Sequence, residues 1–339
     1  MIRLAVVGAG HWGPNLIRNF HDGAHSKVTR IIDSRPERLE QLKARFPDIP
    51  LGSDASTVWS DAQLDAVVIA TPTHTHFALT KKALEAGKHV LVEKPLADNT
   101  EDAEALTALA VKTGKVLMVG HVFLFNPAVR RVKQMLTAGD LGRVYYISMV
   151  RTNLGPIRLD VNAAWDLAAH DISIADEWLG AQAVSASAVG GAYINPGVQD
   201  AVFATLRYPG DVLVNLHASW LNPRKNRDVT VVGDRRMLTF DDMNLQEPIR
   251  VYDKGVTEQK VGGVIDTFAS FRASVREGDI SIPKVPMGEP LKAECEHFVE
   301  CAMKNQTPIA SAVKATSVVR TLDAIARSLA NGGREEKVG

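Results

Sequence analysis

Along the first 120 residues, short unbroken apolar runs alternate with stretches of helical spacing. RLAVVGAG, VTRIID, AVVIAT, HVLVEK and VLMVGH each have the length and apolar continuity of a strand buried on both faces. PNLIRNFHD, PERLEQLKARF, HFALTKKALEAG and TEDAEALTALAVKTG fall between them, with apolar residues three and four apart. Strand–helix alternation of this kind predicts an α/β domain, a doubly wound parallel sheet of Rossmann type over residues 1–122.

The pattern changes after His121. A helix, PAVRRVKQMLTAG, leads to VYYISMVRTN, and from about residue 183 strand-like runs dominate: VSASAVGGAYI, AVFATLRY, DVLVNLHASWL, DVTVVG, RMLTFDD and IRVYD. Turn signals separate several of them, at Tyr208-Pro209-Gly210-Asp211 and at Gly233-Asp234. Strands joined by such short turns pair antiparallel. The expectation is a second, α+β domain over residues 123–331 with a large, mainly antiparallel open sheet. Two amphipathic helices, near 288–304 and 313–330, close the chain; the pattern leaves open whether they pack back on the first domain. The tail, 332–339, reads as frayed.

Composition narrows the class. The chain has 339 residues, 45% hydrophobic, and its 39 Lys and Arg balance 39 Asp and Glu. That length fits about two domains, and the balance gives no electrostatic footprint for nucleic acid or an anionic membrane. No stretch reaches the ~18 apolar residues of a membrane span, and the apolar N-terminus runs into glycines before a signal-peptide core can form. A cytoplasmic protein is expected. Cys295 and Cys301, the only cysteines, read as reduced thiols, with His297 a surface residue between them. No metal site is expected. His74 and His76 form a pair without an acidic third ligand, and helix-cap or surface roles suit them better.

VVGAGHWG places Gly8, Gly10 and Gly13 between a strand and a helix. The first glycine permits a tight turn, the second lets backbone approach a pyrophosphate, and the third allows close helix–strand packing. Asp33 lies 20 residues past Gly13 at the end of the second strand, where a carboxylate can accept hydrogen bonds from an adenosine ribose. Asp33 favours NAD over NADP because it would repel a 2′-phosphate; NADP stays open because Arg35, next to Ser34, could pair with that phosphate. Thr71 and Pro72 follow the third long strand at the carboxyl edge of the sheet, where open α/β folds bind ligands. Glu93, Lys94 and Pro95 end the next strand. Lys94 there either meets a substrate hydroxyl or is a surface lysine.

In GPIRLDVNAAWDLAAHD, Asp166 and His170 fall about 40° apart on a helix of ~100° per residue, and Ala168, Ile172, Ala175 and Leu179 form a packing stripe on the other side. The alternative is an exposed ion pair one turn apart. Arg151, Asn153, Arg158, Asp160 and Asn162 suit sugar hydroxyls or a phosphate, and equally suit salt bridges between subunits. Trp165 either packs or borders a pocket. Arg224, Lys225 and Arg227 lie on a loop between strands, facing substrate, solvent or an interface.

GAGHWG, ATPTHTH, EKP, GHVFLFNPAV, the WD-x-x-x-HD segment, GDISIP and EPLKAECEHFVECAM, in this order and spacing, resemble the Gfo/Idh/MocA oxidoreductase family over nearly the whole chain. VRTNLGPIRLDVNAAWDLAAHD is most similar to the branch acting on nucleotide-linked sugars, of the UDP-N-acetylglucosamine 3-dehydrogenase type. Ala169 stands where that branch has a proline, and Leu124 where many relatives have an arginine or an acidic residue. The resemblance implies a catalytic set of Lys94, Asp166 and His170. It implies a cofactor site that adds His11, Trp12, Ser34, Thr73, His76 and Glu93 to the residues above, and substrate contacts from His121 and Asn126. It implies NAD(H)-dependent hydride transfer at a secondary alcohol of a pyranose, with C3 of a nucleotide-linked sugar foremost. A free sugar, cyclitol, sugar phosphate or aminoglycoside is the alternative, and a non-catalytic NAD sensor is the reading of another class. It also implies a homodimer or homotetramer formed through the C-terminal sheet.

Overall fold

The computed structural model describes residues 1–159, 161–256 and 275–339. The chain divides into two compact units, residues 1–126 with 288–323, and residues 127–287 with 324–339.

The first unit is built on six strands: β1 (Ile2–Val7), β2 (Ser26–Ile32), β3 (Leu51–Gly52), β4 (Ala66–Ile69), β5 (His89–Glu93) and β6 (Leu117–Gly120). They pair in the order β3-β2-β1-β4-β5-β6, parallel throughout. Helices α1 (Gly13–His21), α2 (Pro36–Lys43), α3 (Ser56–Trp59), α4 (His76–Glu85) and α5 (Thr100–Thr113) supply the crossovers. Every residue of β4 and β6 is buried, which explains why these strands lack polar alternation. Asn99 caps α5 by accepting from the Asp102 amide, and Gly114 ends it in the left-handed region that only glycine enters freely.

The helix Pro290–Lys304, from the far end of the chain, packs on α1, on β1 and on the short turn Val122–Phe125 after β6. Phe298 meets Phe20 edge to face at 6.1 Å, within an apolar cluster that includes Leu4, Leu16, Leu91 and Met118. Each such fully buried side chain contributes roughly 1.5–3 kcal/mol. Val119 donates to the Ala310 carbonyl, so the outer edge of β6 is paired by the segment between the closing helices. His297 is not a surface residue: it accepts from the Ile309 amide and lies against the Phe125 ring. Cys295 and Cys301 are both buried and free.

The second unit begins with α6 (Pro127–Thr137) and β7 (Val144–Thr152), continues through α7 (Ala169–Leu179), and then runs as strands. These are β8 (Ser185–Gly191), β9 (Ala201–Tyr208), β10 (Val212–Ser219), β11 (Asn226–Gly233), β12 (Met237–Asp241), β13 (Ile249–Tyr252), β14 (Gly255–Val256), β15 (Val275–Arg276) and β16 (Ile280–Ser281). The sheet order is β16-β13-β12-β11-β7-β10-β9-β8-β17, with β17 (Glu336–Lys337) at one edge; β14 and β15 pair separately. Gly210 and Asp211, both at positive φ, close the β9–β10 hairpin at the turn the sequence marked.

Two expectations are corrected here. The large sheet is antiparallel except at its centre, where β7 and β10 run parallel. The intervening α7, β8 and β9 provide the long crossover that a parallel pair needs. The tail is not frayed: Glu336 and Lys337 pair with β8, and Val338 donates to Val184. Ser328, on the helix Ala312–Ala330, accepts from Ala188 and donates to the Arg334 carbonyl, joining the last turn of the chain to the sheet. On the covered face, Trp178 of α7 donates to the Val129 carbonyl of α6 and meets Phe240 of β12 edge to face.

Candidate active site

The glycine turn is defined by close approaches. Gly8 has φ +103°, and a β-carbon on it would lie 2.4 Å from the Ala70 carbonyl oxygen. One on Gly13 would lie 2.2 Å from the Gly8 oxygen, so α1 begins pressed against the turn. Gly10 is different: a β-carbon there would meet only the Arg35 guanidinium, at 3.8 Å, which leaves room beside the turn. Asp33 accepts from the Ala9 amide at 2.7 Å and the Arg35 amide at 2.9 Å, and its side chain pairs with the Arg35 guanidinium at 3.2 Å. Burial opposes ionisation of Asp33, but the hydrogen bonds from Arg35 and Ala9 outweigh it and hold the carboxyl below its usual range. His11 and the exposed Trp12 meet edge to face in front of α1, and Ser34 is exposed. These residues fit a dinucleotide: a turn cleared of side chains, a helix start beside it and a fixed carboxylate at the end of β2.

After β4, the Thr71 and Thr75 hydroxyls lie 2.6 Å apart, and Thr73 is buried. His76 belongs to neither of the roles the sequence suggested for it. It is 1% exposed, with Nδ1 2.7 Å from the Pro95 carbonyl oxygen and Nε2 2.9 Å from that of Thr71. It therefore ties the turn after β4 to the turn after β5. Burial lowers its pKa, and a neutral imidazole can donate to only one of the two carbonyls.

The β5 turn holds Glu93, Lys94 and a cis Pro95. Glu93 lies opposite Gly120 of β6, and a β-carbon on Gly120 would come within 3.1 Å of its carboxylate. Burial pushes Glu93 up to about 7 despite the neighbouring Lys94 charge. His121 is 2% exposed, with neither ring nitrogen hydrogen-bonded. Burial, then the Lys94 charge, lowers it to about 3, so it is neutral. Asn126 ends the same turn and is half-buried. Leu124 is part of the apolar core, so an apolar residue there serves packing.

In the second unit, the helical segment that carries Asp166 and His170 starts with a π turn, Ala164–Ala168, before α7 proper. The regular 3.6-residue spacing assumed from sequence does not hold across it, and such turns recur at functional sites. Asp166 accepts from Arg158 at 3.1 Å and from the indole of Trp220 at 3.1 Å. Trp220, on the chain just past β10, carried no functional signal in the sequence; its separation from Asp166 hides the pairing. His170 is half-buried at the start of α7. The packing stripe is broader than expected, with Ala169 and Asp171 through Ala175 all buried. Leu179, expected in the stripe, is only partly buried.

Among the proposed substrate contacts, several have structural partners. Arg151 is paired with Asp171 inside the unit. Asn162 accepts from the Ala164 and Trp165 amides and caps the helical segment, and its amide group donates to Gln199. Asn153 donates its backbone N–H to the Ser219 carbonyl, and Trp165 is half-buried. On the nearby loop, Arg227 pairs with Asp242. Asp160 lies outside the described residues. Among the described residues no group of three His, Cys, Asp or Glu side chains is arranged to hold a metal ion, and no helix is long and apolar enough to cross a membrane.

Residues 2–121 match the model of the oxidoreductase family with an NAD-binding Rossmann fold, and residues 129–239 match the GFO/IDH/MocA C-terminal domain. The chain is 31% identical to the UDP-N-acetylglucosamine 3-dehydrogenase of Acidithiobacillus ferrooxidans, over 78% of this chain and 82% of that protein. It is 27% identical to the scyllo-inositol 2-dehydrogenase (NAD(+)) of Bacillus subtilis, over 98% and 95%. The solved structure of the A. ferrooxidans enzyme superposes with a TM-score of 0.80 at 26% identity, over 97% of each chain. The fold is also that of GenD2 from gentamicin A biosynthesis, solved with NAD, at a TM-score of 0.81 and 23% identity over 99% of this chain and 96% of that one. The chain is thus an NAD-binding enzyme of the dehydrogenase class, and it belongs to the Gfo/Idh/MocA oxidoreductase family.

Proposed function

We propose that this protein oxidises a secondary alcohol of a pyranose, or reduces the matching ketone, at C3 of a nucleotide-linked sugar. The observation that carries the substrate class is the 31% identity to UDP-N-acetylglucosamine 3-dehydrogenase over most of both chains. A cyclitol substrate is the second reading, favoured by the lower but almost end-to-end likeness to scyllo-inositol 2-dehydrogenase.

Bound NAD supplies the hydride acceptor. His170 takes the proton from the substrate hydroxyl and returns it in the reverse direction. Lys94 positions that oxygen and stabilises its developing negative charge. Asp166, held by Arg158 and Trp220, orients and electrostatically supports the set. Gly8, Gly10, Gly13 and Asp33 hold the dinucleotide, with His11, Trp12, Ser34, Arg35, Thr71, Pro72, Thr73, His76 and Glu93 around it. His121, Asn126, Arg151, Asn153, Arg158, Asn162 and Trp165 remain the candidates for substrate recognition. In this reading Arg151 and Asn162 act by holding the backbone that presents the others.

The test is NADH formation with NAD and a panel of nucleotide sugars, free sugars and cyclitols. Turnover restricted to UDP-linked sugars is expected; turnover of cyclitols alone selects the second reading, and tight NAD binding with no turnover selects a sensor. Lys94→Ala and His170→Ala should each lower kcat by about 10²-fold or more. Full activity in both variants overturns the mechanism.

The protein acts in the cytoplasm as a homodimer or homotetramer in this reading. Val189, Phe203 and His217 are cross-strand partners on one face of the large sheet, and Val189 and Phe203 are exposed there. Sedimentation as a 36.8 kDa monomer at micromolar concentration would contradict the oligomer.

A further inference from the structure

The helix Pro290–Lys304 places one carboxyl where the chain has no polar partner for it. Glu294 is 0% exposed, and neither of its carboxyl oxygens is hydrogen-bonded. Its neighbours along the helix, Leu291, Cys295 and Phe298, belong to the apolar cluster of the first unit. The helix packs on the turn Val122–Phe125 that follows β6. Glu93 turns its carboxyl to the same strand, over Gly120, where the lack of a side chain admits it.

An ionised carboxylate with no partner in an apolar shell takes up a proton in preference to remaining charged. Two enclosed carboxyls that feel one another do so more readily, because both cannot ionise together. Burial, and then the Glu93 charge, push Glu294 well above the carboxylate range. The other titratable groups facing the pair are Lys94 on the Glu93 turn, the neutral His121 after β6, and Cys295 beside Glu294, a thiol that burial and the two glutamates push up.

We propose that Glu294 is a positioning residue for the Glu93–Lys94 turn: a permanently neutral carboxylic acid that stabilises the ionised form of Glu93 and, through it, the placement of the Lys94 ammonium. This rests on the catalytic role given to Lys94 above. Lys94 is the only cation among the groups named here, and an ionised Glu93 is what balances it. A neutral acid behind Glu93 can donate to it without adding a second negative charge.

The experiment has a direct and a kinetic arm. In the wild-type protein, the side-chain carboxyl carbon-13 resonance of Glu294, assigned by its loss in Glu294→Gln, should sit at the protonated position from about pH 5 to about pH 9, while that of Glu93 titrates near 7. In kinetics, Glu294→Gln keeps a neutral donor of the same shape, so kcat should stay within about two-fold and the acid limb of kcat/KM should not move. Glu294→Leu removes the donor and should move that limb upward by about one pH unit, a ten-fold change in the proton affinity of Glu93. A carboxylate-type resonance for Glu294 overturns the proposal. So does a downward shift of the limb in both variants, the signature of a removed anion. A Leu variant that loses thermal stability with its limb unmoved leaves Glu294 a packing residue and equally overturns it. If Lys94→Ala keeps full activity, the catalytic reading fails instead, and the resonance of Glu294 still reports its protonation.

Discussion

Arg151 of β7 donates to Asp171 of α7 through both Nε, at 2.9 Å, and Nη2, at 2.7 Å, and both side chains are almost fully enclosed. This pair joins the start of α7, which carries His170, to the central strand of the large sheet. Removing one member leaves the other charge buried without its counter-charge. Asp171→Ala should cost about 3–5 kcal/mol, read from urea unfolding, whereas a doubly apolar Arg151→Met, Asp171→Leu protein should lose much less. A double variant as unstable as the single one would show that the pair itself, and not the stranded charge, stabilises the fold.

Asp33 is tied by the Ala9 and Arg35 amides, so its carboxylate is aligned before any ligand arrives. Asp33→Ala should weaken NAD binding by about 10- to 100-fold, the equivalent of roughly 1.5–3 kcal/mol of charged hydrogen bonding. Affinity for NADP should fall less, since the repulsion of a 2′-phosphate goes with the carboxylate and Arg35 is released from its pair. Titration calorimetry with both cofactors measures the ratio; an unchanged ratio would remove Asp33 from cofactor choice.

His121 and Glu93 make stability depend on pH with opposite signs. His121 titrates near 3 in the fold against 6.5 ordinarily, so below 6.5 the unfolded chain binds a proton that the fold refuses, and stability falls as pH drops through that window. Glu93 titrates near 7 against 4.5, so the fold holds its proton more tightly, and stability falls as pH rises from 4.5 to 7. His121→Asn removes the first effect. Its thermal midpoint should gain on that of the wild type steadily as pH drops below 6.5. Parallel curves for the two proteins would mean that His121 is protonated in the fold.

Trp220 gives Asp166 one of its two observed donors, from 54 residues along the chain. Trp220→Phe keeps an aromatic ring in the core and deletes the N–H. If Asp166 supports catalysis, kcat should fall by about ten-fold or more, in line with the loss of a hydrogen bond to a charged group, while NAD affinity stays constant. A change in NAD affinity with kcat intact would place Trp220 outside the catalytic arrangement.

Much of the cofactor site was legible from local spacing. Gly8, Gly10, Gly13 and Asp33 belong to one β-α-β unit, whose geometry follows from short chain connections and from steric limits at each glycine. The same holds for the parallel sheet, because unbroken apolar strands between helices have few other ways to bury both faces. The second half of the chain was less transparent. Hairpin turns such as Tyr208–Asp211 announced antiparallel neighbours, but the central β7–β10 pair is parallel and has no turn to announce it. The terminal Glu336 and Lys337 look polar and loose in sequence, and become a strand only because β8 offers an open edge.

The sequence by itself determined the elements, the nucleotide-binding turn and the residue types available for chemistry, since these depend on periodicity and on neighbours a few positions apart. Tertiary structure decided which polar groups are partnered and which are enclosed. It assigned Arg151 to Asp171, Asn162 to the start of a helical segment and Asp166 to Arg158 and Trp220. It also drew His76 into the core between two loops, and it left Glu294 on an apolar helix face behind Glu93. Such contacts join residues far apart along the chain, and the energy of a buried charge depends on everything packed around it, which no local pattern contains.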